Sequence, residues 1–110
     1  MMYRNTVYIS GPITKNPTYM LDFERVEARL VNDIKDGFYD WTGIINPAKV
    51  NSSLPVDFQH DDYMEVCYRL LDLSNSIYLM KGWQESEGCR KELCYAKLLG
   101  LGVYYEELSD

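Results

Sequence analysis

The chain has 110 residues, is 46% apolar and carries a formal net charge of -6. That length suits one hydrophobic core better than two, and at this size folding removes roughly two-thirds of the unfolded chain's surface from water, so no disulfide staple is needed. The acidic balance opposes contact with polymeric nucleic acid, which is bound through clustered Lys and Arg, while a small anionic ligand stays compatible because helix-start amides can hold a phosphate without net positive charge.

The cysteines Cys67, Cys89 and Cys94 form no C-x-x-C pair and His60 is the single histidine, so neither a disulfide framework nor a zinc site is expected. The N-terminus has no basic region leading into an apolar stretch and a cleavage site, and no apolar run is long enough to span a bilayer. The expectation is a protein of the reducing cytoplasm with no membrane partner.

There are no repeats, low-complexity stretches or Pro/Ser-rich linkers, and strand and helix signals alternate. Thr6-Val7-Tyr8-Ile9-Ser10 is short, β-branched and aromatic and is stopped by Gly11-Pro12, which predicts a buried strand followed by a loop over residues 11–15. Phe23, Val26, Leu30 and Ile34 recur at helical spacing over residues 18–35, with Asn16-Pro17 as the expected cap and first-turn proline and Gly37 as the stop. Gly43-Ile44-Ile45 is a second strand, broken by Asn46-Pro47, and residues 51–59 are expected to be irregular.

Tyr63, Cys67, Leu70 and Ser74 mark a second helix, widened by Met64 and Leu71, with Asp61 and Asp62 at its dipole-favoured start. Ser76-Ile77-Tyr78-Leu79-Met80 is a third strand, residues 81–86 a loop, residues 87–99 a third helix and Val103-Tyr104-Tyr105 a last strand. Strands separated by helices imply parallel pairing through crossovers, hence one α/β domain over residues 1–110: a three-layer α/β/α sandwich of about four strands and three main helices. Ligands of such sheets bind beyond the carboxyl ends of the strands where strand order reverses, which directs attention to the loops after Ser10, Ile45 and Met80.

Residues 82–92 break local rules. Ser86 suits a helix cap, yet Gly88 falls in the first turn, where glycine costs about 1 kcal/mol relative to alanine. It either relieves packing at a frayed end or opens the backbone to a ligand at the free amides. Glu92 lies on the edge of the apolar stripe of Cys89, Leu93, Ala96 and Leu99, so its carboxylate is directed toward the protein, as an ion-pair partner, a snorkelling side chain or a functional acid.

The motifs Val7-Tyr8-Ile9-Ser10-Gly11-Pro12-Ile13, Ile45-Asn46-Pro47, Ile77-Tyr78-Leu79-Met80-Lys81-Gly82-Trp83 and Ser86-x-Gly88-x-x-x-Glu92 follow one another in an order that resembles a family of small bacterial and phage proteins long labelled a domain of unknown function. That family is similar to the nucleoside 2-deoxyribosyltransferases and the deoxynucleoside-monophosphate N-glycosidases, and the resemblance spans nearly the whole chain. It implies a Rossmann- or flavodoxin-like fold, Glu92 as nucleophile and Tyr8 as the residue that orients it. Gly11, Pro12 and Ile13 would lie beside sugar and base, and Ser86 and Gly88 would receive the sugar's 5′ end or its phosphate. Asn46, Cys67 and Trp83 complete the expected contacts with a small-molecule nucleoside or nucleotide. No cofactor is implied, and assembly into a dimer or larger homo-oligomer is.

Two positions depart from the pattern. Cys67 stands where the relatives carry an Asp in the helix before the third strand, and Asn75 meets a second family acid. A thiol is a poor substitute for a carboxylate in protonating a leaving base, Asp72 is one position off the needed face, and Asp61, Asp62 and His60 read as solvated first-turn residues, so the general acid stays unassigned. Trp83 suits stacking on a base, packing or an oligomer contact, and Tyr63, Tyr68, Tyr78, Tyr104 and Tyr105 suit core or interface positions. A glycosidic-bond-cleaving enzyme, a catalytically weak nucleotide-binding module and a homo-oligomeric interaction protein retaining only the fold are thus three readings of the chain.

Overall fold

Five consecutive buried residues, Thr6–Ser10, form the strand β1, which has a neighbour on each side. The computed structural model describes residues 4–106. β1 pairs in parallel with β2 (Gly43–Ile45), Tyr8 lying opposite Ile45, and with β3 (Ser76–Leu79), Ser10 lying opposite Leu79. β3 pairs in parallel with β4 (Gly102–Tyr105), giving the order β2-β1-β3-β4. The chain leaves β1 in one direction to make β2 and returns across it to make β3, so the order reverses between β1 and β3.

A crossover of one hand sends connecting helices to opposite faces when the direction of winding reverses. The packing follows this division. Helix α1 (Tyr19–Lys35) buries Phe23, Val26 and Leu30 against Val7, Ile9, Tyr78 and Met80, with Trp41 and Ala48 closing that core. On the other face α3 (His60–Asp72) and α4 (Glu87–Leu99) bury Cys67, Leu71, Leu93 and Ala96 against Tyr8, Ile77 and Leu79. Alternate strand residues therefore serve opposite cores, as a period of two demands. The result is the expected three-layer α/β sandwich with an all-parallel sheet.

The described residues contain four α-helices rather than the expected three. Asn46-Pro47 does not simply break the chain: the Asn46 side chain accepts from the amides of Ala48 (3.0 Å) and Lys49 (3.4 Å), and Pro47 opens the short helix α2 (Pro47–Asn51). Asn16 is likewise not the cap of α1, which starts at Tyr19. Its amide instead donates to the Pro12 carbonyl (3.0 Å) and to Asp22 (3.1 Å), knitting the loop after β1 to the first turn. Residues 81–86, expected as plain loop, contain a 3-10 turn at Trp83–Glu85. No helix among the described residues is long and apolar enough to cross a membrane.

Candidate active site

Beyond the carboxyl ends of β1 and β3, the loop after β1, the end of α2 and the starts of α3 and α4 surround a cleft of about 1110 Å³. Helix α3 presents His60, Tyr63, Met64 and Cys67 to it, one stripe at three- and four-residue spacing. His60, read from the sequence as a merely solvated first-turn residue, is thus brought to the cleft. Asp62 caps α3 by accepting from the Gln59 amide at 2.8 Å.

Glu92 is 6% exposed and forms part of the cleft wall. The buried residues of α4 are Cys89, Glu92, Leu93 and Ala96, whereas Leu99 is exposed, so Glu92 stands within the buried stripe rather than on its edge. Both carboxylate oxygens are engaged. Tyr8 Oη donates to Oε2 at 2.5 Å and Ser10 Oγ donates to Oε1 at 2.6 Å. Tyr8 and Ser10 are two residues apart on one strand and so share a face. Ser10 was missing from the expected site, although this periodicity makes it the natural companion of Tyr8.

Burial pushes the Glu92 carboxyl above its ordinary range, and hydrogen bonds from Ser10, Tyr8 and Cys67 act against that rise without cancelling it. Glu92 is the sixth residue of α4, beyond the first turn where the dipole acts, and desolvation outweighs the donors. Burial, followed by the Glu92 charge, raises the Tyr8 hydroxyl well above its usual value, so it stays a donor. The same two causes push the Cys67 thiol up to about 12, and burial raises Cys89 as well.

Gly11 lines the cleft at a point where the chain packs closely. A Cβ there would overlap the Met80 sulfur and stand 3.1 Å from the Phe23 ring, so Met80 and Phe23 would have to shift and packing alone favours glycine. Gly88 is different. A Cβ there would meet the Met64 sulfur at 3.6 Å and Ser86 Oγ at 3.9 Å, both ordinary contacts, so tight packing does not account for this glycine. Ser86 caps α4 by accepting from the Cys89 amide at 3.2 Å, which leaves the first-turn amides of Glu87 and Gly88 without an intrahelical acceptor at the cleft wall.

Pro12, Ile13, Cys67, Ser86, Gly88 and Glu92 also line the cleft, with Tyr8 buried behind Glu92. Two expected contact residues lie apart from it. Asn46 caps α2 and donates to Glu27 at 2.9 Å, and Trp83 packs against the Tyr105 ring with centroids 5.7 Å apart. Asn75 is spent at the opposite end of the sheet, where its side chain accepts from the Thr6 amide at 2.8 Å. Asp72 accepts from Tyr95 Oη at 2.6 Å and pairs with Arg69 at 2.8 Å, away from the cleft. Asn51, which carries no signal in the sequence, has its side-chain oxygen buried beside the cleft with no hydrogen-bond partner among the described residues.

A parallel sheet whose order reverses between β1 and β3, with a buried, hydrogen-bonded carboxylate at the crevice beyond that reversal, defines an α/β domain whose cleft lies where ligands of such sheets commonly bind. The chain belongs to the family described as "Domain of unknown function (DUF4406)", which matches residues 5–105. Neither the curated proteins nor the solved structures include a match to it.

Proposed function

We propose that the protein cleaves the N-glycosidic bond of deoxyribonucleosides or their 5′-monophosphates, with Glu92 as nucleophile. The observation that carries this reading is a carboxylate 6% exposed at the wall of a cleft, oriented by Tyr8 and Ser10. One Glu92 oxygen attacks the anomeric carbon as the C–N bond breaks, and the bonding pair departs with the base, which takes up a proton. Water or a second base then displaces the glycosyl ester and regenerates the carboxylate; the first outcome is hydrolysis, the second transfer. The Gly88 backbone and the free first-turn amides of α4 suit the sugar's 5′ end. The unpaired Asn51 oxygen offers a hydrogen-bond acceptor to a ligand in the cleft.

Chromatography of reactions with a panel of deoxynucleosides and deoxynucleotides, with and without an acceptor base, tests this reading. Glu92→Gln is expected to release no base while keeping its circular dichroism and cooperative unfolding. Full activity in that variant removes Glu92 from the mechanism.

A second reading, a nucleotide-binding module with weak or no turnover, draws on two observations: a thiol, Cys67, where the resemblance expects an acid, and a Glu92 carboxyl whose burial favours its neutral form. It predicts thermal stabilisation by nucleotides without base release. Either reading is compatible with a homo-oligomer, for which the exposed Tyr104 and Tyr105 of the edge strand β4 offer apolar surface.

A further inference from the structure

We propose that the cleft takes a neutral 2′-deoxynucleoside in preference to its 5′-monophosphate, an inference that rests on the reading above and narrows it. The acidic and basic side chains on the cleft wall are Glu85, Glu87 and Glu92 against Lys15 and His60; with Glu92 set aside because its burial favours the neutral form, two exposed carboxylates face one permanent cation. These two, Glu85 and Glu87, flank Ser86, the cap of α4, at the place assigned to the 5′ end.

Glu87 is held ionised by Lys91, whose ammonium lies 3.0 Å away one turn further along the helix. Lys91 does not line the cleft, so it offsets part of the Glu87 charge without offering a ligand there a donor, and Glu85 has no such counter-ion among the cleft residues beside it. A 5′-hydroxyl matches this setting chemically: it accepts from a helix-start amide and donates to a carboxylate. A phosphate dianion only accepts, and it would bring two further negative charges against Glu85 and Glu87, a like-charge juxtaposition that binding sites use to reject the wrong partner. Gly88 lets a ligand approach the backbone at this point, the nearest atoms from beyond its chain neighbours and its own helix backbone being the Met64 sulfur at 3.6 Å and Ser86 Oγ at 3.9 Å from where a Cβ would stand.

Isothermal titration of the full chain with 2′-deoxyadenosine, thymidine and their 5′-monophosphates at low salt tests the inference, with inorganic phosphate as a further probe. The nucleosides are expected to bind at least about tenfold more tightly than their monophosphates, and the gap is expected to narrow as salt screens the repulsion. Glu87→Gln combined with Glu85→Gln is expected to shrink the nucleoside-to-monophosphate ratio several-fold. Equal or tighter binding of the monophosphates, or a ratio untouched by both substitutions, overturns the inference. Base release that Glu92→Gln abolishes, seen together with a monophosphate preference, overturns this inference and leaves the proposed function standing. Binding of neither class overturns both.

Discussion

Tyr8 and Glu92 are 84 positions apart in the chain and are joined by a hydrogen bond from the tyrosine hydroxyl to Oε2 of the carboxylate. The bond ties the central strand to α4 across the interior, so the position and the protonation of Glu92 both depend on the first strand. Tyr8→Phe removes a donor to a buried acceptor, which costs about 1–3 kcal/mol. Denaturant unfolding is expected to show a loss in that range. The acid limb of any pH–rate profile is expected to move to higher pH, because the anion loses one of the groups that stabilise it.

The pH dependence of stability has a defined sign. The Glu92 carboxyl is raised in the folded protein above its ordinary 4.5, so between that value and the folded one the native state binds more protons than the unfolded chain. Stability attributable to this group is therefore fully present at low pH and declines as pH rises through that window. Glu92→Gln removes the decline. Unfolding curves of the two proteins are expected to diverge in the variant's favour as pH rises above 4.5, and parallel curves would contradict the assigned shift.

The three thiols should react unequally. Cys94 is exposed, whereas Cys67 and Cys89 are buried and raised, so both remain protonated at neutral pH. A disulfide reagent is expected to titrate one thiol rapidly in the native protein and the other two only on unfolding. Cys67→Asp, which supplies the acid that the resemblance expects, should raise base release by at least about tenfold if a missing proton donor limits turnover, general acids typically contributing about 10²–10⁴-fold. Unchanged release in a folded Cys67→Asp protein excludes that position as the missing acid.

The two cleft glycines should separate stability from ligand access. Gly11→Ala forces a Cβ against Met80 and Phe23 and is expected to cost about 1–3 kcal/mol, as overpacking does. Gly88→Ala meets only ordinary contacts and replaces a glycine in a helical turn, so stability should hold or rise by up to about 1 kcal/mol while ligand binding weakens. Thermal unfolding and titration with a nucleoside on the same two variants check both halves.

Glu106 was not anticipated from the sequence. Its side chain is 2% exposed, accepts from the Lys81 amide at 2.9 Å and pairs with Arg25 at 3.0 Å, anchoring the loop that leads into α4. Arg25 is 55% exposed, so the ion pair itself contributes little; the buried amide bond matters more. Glu106→Ala is expected to destabilise by about 1–3 kcal/mol, and Arg25→Ala by less than about 1 kcal/mol, in denaturant unfolding.

Elements whose cause is local were legible in the order of residues alone. The β-branched run of Thr6–Ser10 and the period of Phe23, Val26 and Leu30 set a strand and a helix. Ser86, Gly100 and the stripe of Cys89, Leu93 and Ala96 bounded α4 at Glu87–Leu99. Strand and helix alternation then restricted the architecture to a parallel three-layer sheet. Partnerships between distant segments arose only once the chain was folded: Ser10 joining Tyr8 on Glu92, Glu106 reaching Lys81, Asn75 closing the sheet at Thr6, and Trp83 turning to Tyr105. Side-chain periodicity states which face a residue takes on its own element. Which acid meets which donor, and whether burial or hydrogen bonding dominates its ionisation, depends on how those faces are brought together in space.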